Sequence, residues 1–403
     1  MTRIVLGRRV ALLSGAAAVA APAVLRAQSA LNTADPIRIA TLTPLTGSGG
    51  SYGPAMAKAA AGVVEEVNAA GGVLGRKVVL VSEDDQTNPD AGVRAARKLI
   101  DVDKVSAIMG TWASSVTTAV APLCWENKTF LTSTSGADSI TLLPHQGYLV
   151  RTQPNTQLQV GHAGEFLLSI DCRKTFTLVP QTPFAQSSID VLNRVMTKGG
   201  GTHGGLIYDD KKTTYRTEVD QALRFGPDAI FCAGYTPDTV VMLKDLYRAG
   251  YKGKIIGQAY AINQKLIEQV GQVEIVEGVY TFAPSPAEGG GAYERVKKIT
   301  GLANPDPYSS QVYDHANMVL MAMAQAKDTT GTAIKDNIRK VCQGGGKPVD
   351  NAVDGLKAIA AGEKVDYAGA SGPCDFDGKG DILDCKFRYE QIKAGKPVLV
   401  KIF

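Results

Sequence analysis

The residues best suited to ligand chemistry form the stretch Gly110–Thr118, which is rich in hydroxyl side chains and contains Trp112. The apolar run Lys104–Met109 before it is typical of a buried strand, and the apolar spacing in Ser115–Glu126 predicts a helix after it. The stretch is therefore predicted to be a strand-to-helix turn. Backbone N–H groups at a helix start, joined by short hydroxyls, can bind a carboxylate or phosphate without a cation.

Hydroxyl, amide and aromatic side chains follow several predicted strands, whereas charged side chains are scarce there. Ligands of open α/β sheets bind beyond the carboxyl ends of the strands, so these side chains form the candidate ligand site. Neutral donors can orient a small ligand and aromatic rings can bury it. Each serine or threonine could instead only cap a helix, but three successive loops of this kind favour binding. The candidates are Tyr52, Trp112, Ser114, Ser115, Thr134, Ser135, Gly136, Phe184, Tyr235, Gln258 and Tyr260.

Catalytic and metal-binding motifs have little support in the sequence. The four histidines lie far apart, and none has metal-ligand spacing to a cysteine or an acid. We interpret the acids of Glu83–Asp85 as a solvated loop that leads into the helix cap Asn88. An alternative function is that of a dinucleotide-dependent oxidoreductase, which would use these acids, the glycine-rich loop Gly47–Gly53 and the pair Tyr293 and Lys297. The spacing of the glycines, however, departs from the dinucleotide-binding fingerprint. We therefore expect a binding protein without enzymatic activity, metal or cofactor.

Alternating strands and helices must position these residues. From Ile37 to Phe282, short apolar strands alternate with amphipathic helices, and a second set of strands begins near Gln159. This alternation predicts an α/β fold with two doubly wound, Rossmann-like units. Four successive helices follow, and short strands over Asp384–Ile392 and Val398–Ile402 end the chain. We expect those helices to cover the first unit and the final strands to complete the second. The predicted bounds are residues 36–153 and 283–365 for one lobe, and 154–282 and 366–403 for the other.

Residues 1–27 are predicted to be a signal peptide. Arg8 and Arg9 precede Val10–Leu25, an apolar run of mostly small residues without the polar face of an amphipathic helix. Such a run is typical of a secretory signal and is too short and too rich in alanine for a membrane span. The arginine pair resembles a twin-arginine signal, so the general secretory route and the twin-arginine route both stay open. We expect cleavage of this segment and a periplasmic location.

The charge of the chain argues against a nucleic-acid partner. Removing the four arginines of residues 1–27 from the 43 basic residues leaves 39, which equals the number of acidic residues. A near-neutral chain without a basic stripe is not typical of nucleic-acid binding. No other apolar run is long enough to span a bilayer, so the mature protein is predicted to be soluble.

Two of the six cysteines suggest a disulfide. Cys374 and Cys385 flank Asp375–Asp381, which is predicted to be a hairpin tip. Export permits disulfides, and a bridge across this loop would stabilise the fold by about 2–3 kcal/mol. Cys124 and Cys232 lie in apolar sequence and are expected to be buried thiols.

Several short blocks appear in an order that resembles one family of binding proteins. The blocks are Ile37–Ala40, Pro44–Gly47, Ala70–Gly75, Asp84–Pro89, Gly234–Asp238 and Gly378–Asp381. From Ile37 to about Phe387 the chain is similar to the periplasmic ligand-binding proteins of ABC importers, of the leucine/isoleucine/valine-binding type with the type I fold. The resemblance implies two lobes joined by three chain crossings, with a ligand in the cleft. It also implies that closure presents a monomer to a membrane permease.

The resemblance also suggests roles for single residues. Ser114 falls where the family uses a serine hydroxyl and amide on the ligand carboxylate, and Thr134 falls where a backbone carbonyl receives the ligand ammonium. Tyr52 and Tyr235 match aromatic residues of the cleft, and Phe184 stands in place of a tyrosine.

Two departures from the family pattern bear on the ligand. Gly136 replaces a threonine, and Ala259 stands where amino-acid binders place an acid that pairs with the ammonium. A buried ammonium without a carboxylate costs several kcal/mol. We therefore expect a ligand that keeps a carboxylate but lacks an α-amino group, such as an aromatic or aliphatic acid. Asp238 or Glu83 could replace the missing acid, and this alternative stays open at the level of sequence.

A second functional class uses the same cleft. The closed protein could report the ligand to a membrane receptor for signalling instead of feeding an importer. The sequence does not show the docking surface, so both interpretations stay open.

Overall fold

The computed structural model describes residues 32–403, so the predicted signal peptide lies outside the described residues. Within this range the two predicted α/β units are confirmed as two main sheets with helices against their faces. None of the described helices is long and apolar enough to cross a bilayer.

The first main sheet contains five parallel strands. They are β1 (Asn32–Thr43), β2 (Arg76–Asp84), β3 (Ala107–Thr111), β4 (Phe130–Ser133) and β5 (Leu149–Arg151), in the order β2-β1-β3-β4-β5. Helices α1 (Gly53–Ala69), α2 (Pro89–Arg97) and α3 (Ser114–Glu126) connect the first four strands. Pro54 and Pro89 lie in the first turns of α1 and α2, where a proline costs no helical hydrogen bond. The parallel direction brings the carboxyl ends of β1, β3 and β4 to one edge.

The second main sheet begins with five more parallel strands. They are β6 (Lys174–Pro180), β7 (Thr202–Tyr208), β8 (Ala229–Cys232), β9 (Lys254–Gln258) and β10 (Tyr280–Pro284), in the order β10-β9-β8-β6-β7. The helices of this part are α4 (Thr156–Ser169), α5 (Pro183–Lys198), α6 (Arg216–Phe225), α7 (Thr236–Arg248), α8 (Gln264–Val270) and α9 (Val273–Val276). The carboxyl ends of β6, β8 and β9 therefore also share an edge.

Four further helices return to the first sheet. They are α10 (Gly291–Thr300), α11 (Pro307–Ala326), α12 (Gly331–Cys342) and α13 (Ala352–Ala360). Helix α11 packs on α1 and β3, and every residue from Tyr308 to Ala324 is buried. Since it is covered all round, α11 is a core helix of this lobe.

The expectation that no strand interrupts these helices is wrong. A short strand, β11 (Lys347–Val349), lies between α12 and α13 and pairs with β12 (Val365–Gly369), which also pairs with β13 (Gly372–Pro373). Strands β11 and β13 have three and two residues, which are too few for an alternating apolar pattern, whereas the five residues of β12 do alternate in burial. The final strands, β14 (Phe387–Lys393) and β15 (Lys396–Ile402), form an antiparallel hairpin that extends the second sheet beyond β10.

Candidate ligand-binding site

The turn after β3 has the form predicted for it, although the strand runs two residues further than expected. Strand β3 ends at Thr111 and helix α3 begins at Ser114. Ala113 is the N-cap residue, and no described side chain accepts a hydrogen bond there. The N–H groups of the first helical turn therefore lack the usual side-chain cap. The Ser114 Oγ accepts a hydrogen bond from the Ala137 N–H at 3.2 Å, which leaves its own hydroxyl hydrogen free to donate.

A cavity of about 50 Å³ lies beside this turn and is lined from both lobes. About 10–15 Å³ of such volume holds one water, so the cavity has room for several waters. Eight predicted site residues line it: Trp112, Ser114, Thr134, Gly136, Phe184, Tyr235, Gln258 and Tyr260. The carboxyl ends of the strands in both lobes thus meet at one cavity.

The other four predicted residues lie near the cavity but not in its wall. The Ser135 hydroxyl donates to the carbonyls of Thr111 and Trp112 at 3.0 and 2.8 Å, so it braces the turn. Ser115 is half-buried on α3. Tyr52 reaches across the cleft and donates from its hydroxyl to the Ala259 carbonyl at 3.3 Å. Tyr52 and Ala259 therefore form a contact between the lobes.

Aromatic rings form most of the apolar wall around Trp112. Its ring centroid lies 5.7 Å from Tyr235, 5.6 Å from Tyr260 and 5.7 Å from Tyr308, which line the cavity, and 5.9 Å from Tyr52, which does not. Burial raises the pKa of each of these tyrosines, so the phenols stay neutral. Tyr308 was not predicted as a site residue, because it belongs to the first turn of α11 and follows no strand. The only local signal was Pro307, which starts that helix.

A chain of glutamine amides forms a polar part of the cavity wall. The Gln159 Nε2 donates to the Pro154 carbonyl at 3.0 Å, and the Gln258 Nε2 donates to the Gln159 Oε1 at 2.7 Å. The sequence placed Gln258 among the strand-end candidates but missed Gln153 and Gln159, which also line the cavity. Gln153 precedes α4 and Gln159 lies within it, and at neither position does the sequence pattern distinguish a glutamine that lines a site from one on the surface. A Cβ at Gly136 would lie 2.3 Å from the Gln159 Nε2, so glycine at this position leaves room for the amide.

The wall of the cavity contains no Asp, Glu, Lys, Arg or His among its described lining residues. Asp238 and Glu83, which the sequence left open as partners for a ligand ammonium, are engaged elsewhere. Asp238 accepts hydrogen bonds from the Tyr235 N–H and the Tyr208 hydroxyl, both at 3.1 Å, and Glu83 pairs with Lys98. Neither acid lines the cavity, so the described residues offer no carboxylate to a ligand ammonium.

A buried ion pair holds the loop that contains Gly136. Arg151, at the end of β5, is fully buried and donates from Nε to Asp381 Oδ1 at 2.6 Å. Its Nη1 donates to the carbonyls of Ser135 and Ala137, on either side of Gly136, at 3.0 and 2.6 Å. Burial alone would raise the pKa of Asp381, but the Arg151 guanidinium and its hydrogen bonds hold that pKa below its usual range. Arg151 therefore positions one wall of the cavity.

The residues of the oxidoreductase alternative do not assemble at the cavity. Lys297 Nζ pairs with Glu294 on the same helix at 3.0 Å, and Tyr293 is buried in α10 outside the cavity wall. Within the described part of the chain, no group of His, Cys, Asp and Glu side chains is arranged to hold a metal ion.

The predicted disulfide between Cys374 and Cys385 is wrong, because both are free thiols. The hairpin pairs Phe376 with Ile382, and the Leu383 N–H donates to the Asp375 carbonyl. That register places Cys374 opposite Asp384. The cross-strand neighbour of Cys374 is therefore not Cys385, and the hairpin does not join the two thiols. Closeness in sequence suggested the bridge, but the register decides against it.

The chain belongs to the periplasmic binding protein family, because the sequence model of that family matches residues 36–396. This membership confirms the resemblance seen in the sequence and, with it, the expectation of a binding protein rather than an enzyme. One relative is BasB, the substrate-binding protein of a chemotactic signal transduction system in Halobacterium salinarum. It is 26% identical over 352 residues, which cover 84% of this chain and 83% of BasB.

Two solved structures share the fold at lower sequence identity. The leucine-binding protein LivK of Thermotoga maritima is 22% identical with a TM-score of 0.77, over 91% of this chain and 98% of that chain. A solute-binding protein of an ABC transporter from R. palustris, in complex with 4-hydroxybenzoate, is 17% identical with a TM-score of 0.74, over 92% of this chain and 97% of that chain. These likenesses confirm the two-lobe type I fold.

Proposed function

We propose that this protein is the extracytoplasmic solute-binding component of an ABC importer. It captures a small ligand that carries a carboxylate but no α-amino group, closes its two lobes on it, and delivers it as a monomer to a membrane permease. The proposed lobes are residues 36–153 with 283–365, and residues 154–282 with 366–403. Export follows from the signal sequence proposed at residues 1–27, which places the protein in the periplasm.

One observation carries this proposal: an uncapped helix start faces a cavity whose wall has no charged side chain. The N–H groups and positive dipole end of α3 favour an anion, and Ser114 adds a hydroxyl donor. A ligand ammonium in the same cavity would lose its hydration without gaining a carboxylate partner. The R. palustris neighbour in complex with 4-hydroxybenzoate is an example of an acid without an amino group in this fold.

Titration calorimetry on the Ser114→Ala variant tests the carboxylate end of the site. Losing a hydrogen bond to a charged group costs about 1.5–3 kcal/mol, so the affinity for an acid such as benzoate falls by about 10- to 150-fold. Ser115→Ala is the matched control, because Ser115 is the next residue of α3 but does not line the cavity. Its affinity should stay within about twofold of the wild type.

Two results would overturn the proposal. An unchanged affinity in Ser114→Ala would remove the α3 turn from the binding site. Submicromolar binding of leucine by the wild-type protein would show that the cavity accepts an ammonium. A thermal-shift screen over amino acids, aromatic acids, dicarboxylates and amides selects the acid for this titration. A ligand at one hundred times its dissociation constant adds about 2.7 kcal/mol to the free energy of unfolding, so a binder raises the melting temperature.

A second candidate function is supported by the relative BasB, which belongs to a chemotactic system. The same cleft would then report its ligand to a membrane receptor. Genes for a permease and an ATPase beside the gene for this protein favour import, whereas a gene for a chemoreceptor or histidine kinase favours sensing.

A further inference from the structure

The side-chain oxygen of Gln258 is an unused hydrogen-bond acceptor in the cavity wall. Gln258 ends strand β9 and is only 4% exposed. Its Oε1 has no hydrogen-bond partner among the described residues, although the side chain lines the cavity. Buried polar atoms are nearly always paired, so this acceptor requires an explanation.

The hydrogen bonds of the neighbouring amide decide which atom of Gln258 is unpaired. The Pro154 carbonyl can only accept, so Gln159 must present its Nε2 to it at 3.0 Å. The Gln159 Oε1 then faces Gln258, which must donate from Nε2 at 2.7 Å. Rotating the Gln258 amide by half a turn would place two oxygens together. The unpaired atom is therefore the carbonyl oxygen.

We infer that Gln258 Oε1 accepts a hydrogen bond from a neutral donor on the ligand, either a hydroxyl or an amide N–H. This inference rests on the proposed function, because Ser114 and the start of α3 take the carboxylate. The two groups come from different lobes, since Ser114 follows a strand of the first sheet and Gln258 ends a strand of the second. A ligand with a donor as well as a carboxylate therefore contacts both lobes and favours their closure.

A charged donor fits this position poorly. An amide oxygen is uncharged and does not balance a buried ammonium, and no lining residue in the described chain is acidic. A hydroxyl or an amide N–H needs only one acceptor and carries no charge into the cavity. Gln258 is thus a specificity-determining residue for acids that bear a second, neutral donor.

Calorimetry with matched ligands tests this inference in the wild-type protein. The first arm compares benzoate, 3-hydroxybenzoate, 4-hydroxybenzoate and 4-methoxybenzoate, since the methyl ether keeps the oxygen but removes the donor. The second arm replaces the hydroxyl by a carboxamide, as in 4-carbamoylbenzoate, and so separates the two kinds of donor. We expect at least one donor-bearing acid to bind about tenfold more tightly than both benzoate and the methyl ether.

Variants then connect the preference to one atom. In Gln258→Leu the preference for the donor-bearing acid should fall to within about twofold. In Gln258→Glu, which keeps the shape of the side chain, all the acids should weaken, whereas leucine should gain affinity relative to them. The control is Thr281→Val. Like Gln258, Thr281 has a buried polar atom without a described hydrogen-bond partner, and it lies on the adjacent strand β10. Unlike Gln258, it does not line the cavity. Its donor preference should equal that of the wild type.

The outcomes separate this inference from the proposed function. If the wild-type protein binds the acids but does not distinguish donor-bearing members from the others, the inference is overturned and the proposed function stands. The same holds if the preference survives in Gln258→Leu. If neither these benzoates nor any other acid of the thermal-shift screen binds, both are overturned.

Discussion

Breaking the buried ion pair between Arg151 and Asp381 should strongly destabilise the protein. Arg151 is fully buried, and the side chain of Asp381 is 11% exposed. Asp381→Asn keeps the size of the side chain but removes its charge, which leaves the guanidinium buried without a counter-ion. It also weakens the hydrogen bond that the Asn155 Nδ2 donates to Asp381 Oδ2 at 3.1 Å. Removing one member of a buried pair costs about 3–5 kcal/mol.

The lower end of that range applies here. Arg151 keeps its hydrogen bonds to two backbone carbonyls and to Thr141, so part of its charge stays satisfied. We therefore expect the free energy of unfolding to fall by about 3 kcal/mol at pH 7. Urea unfolding followed by tryptophan fluorescence measures it, because the two tryptophans, Trp112 and Trp125, both belong to the first lobe.

The pH dependence of the free energy of unfolding is a second test of the same ion pair. The pKa of Asp381 is lowered in the folded protein, so the pair contributes stability above the unfolded value of about 3.9. This contribution is lost as the pH falls through the folded pKa. The difference between the wild type and Asp381→Asn should therefore be constant near neutral pH and shrink below about pH 4.

The control is Asp171→Asn, which removes an exposed partner of Arg173, since Asp171 is 96% exposed. Its stability should change by no more than about 0.5 kcal/mol. The double variant Arg151→Met with Asp381→Leu should be more stable than Asp381→Asn, because no charge stays buried. A loss below about 1 kcal/mol in Asp381→Asn, or a difference that grows in acid, would refute the reasoning.

Three further predictions concern the cleft and the cysteines. Tyr52→Phe removes the hydroxyl that donates to the Ala259 carbonyl and accepts from the Asn263 Nδ2 at 2.9 Å. Closure of the lobes is then less stable, so ligand affinity measured by calorimetry should fall by about three- to tenfold. The control is Tyr247→Phe at an exposed position, and an equal effect in both variants would show that the contact between the lobes does not contribute to affinity. Because the cysteines are free, reduction should leave the intact mass unchanged, and a gain of two hydrogens would reveal a disulfide. Burial raises the pKa of Cys124 and Cys232 to about 12, so both should react with a maleimide at pH 8 only after unfolding.

Long-range register limited what the sequence could predict about the C-terminal part of the chain. Cys374 and Cys385 are close in sequence, but whether they face each other depends on the pairing register of the hairpin. No local sequence pattern specifies that register. The strands β11 to β13 were missed for a related reason. Strands β11 and β13 are too short for an alternating apolar pattern, and the three strands form a small sheet of their own next to α12 and α13.

The sequence alone determined the α/β architecture, the turn after β3 and the aromatic and hydroxyl character of the site. These properties depend on spacings of two to four residues and on the rule that strand ends share an edge, and both are visible along the chain. Only the tertiary structure decided which candidates line the cavity. Tyr308 and Gln159 come from helices that packing brings to the cleft, and the orientation of Gln258 depends on a hydrogen bond between amides 99 residues apart. Such contacts are made between elements, so no local sequence pattern specifies them.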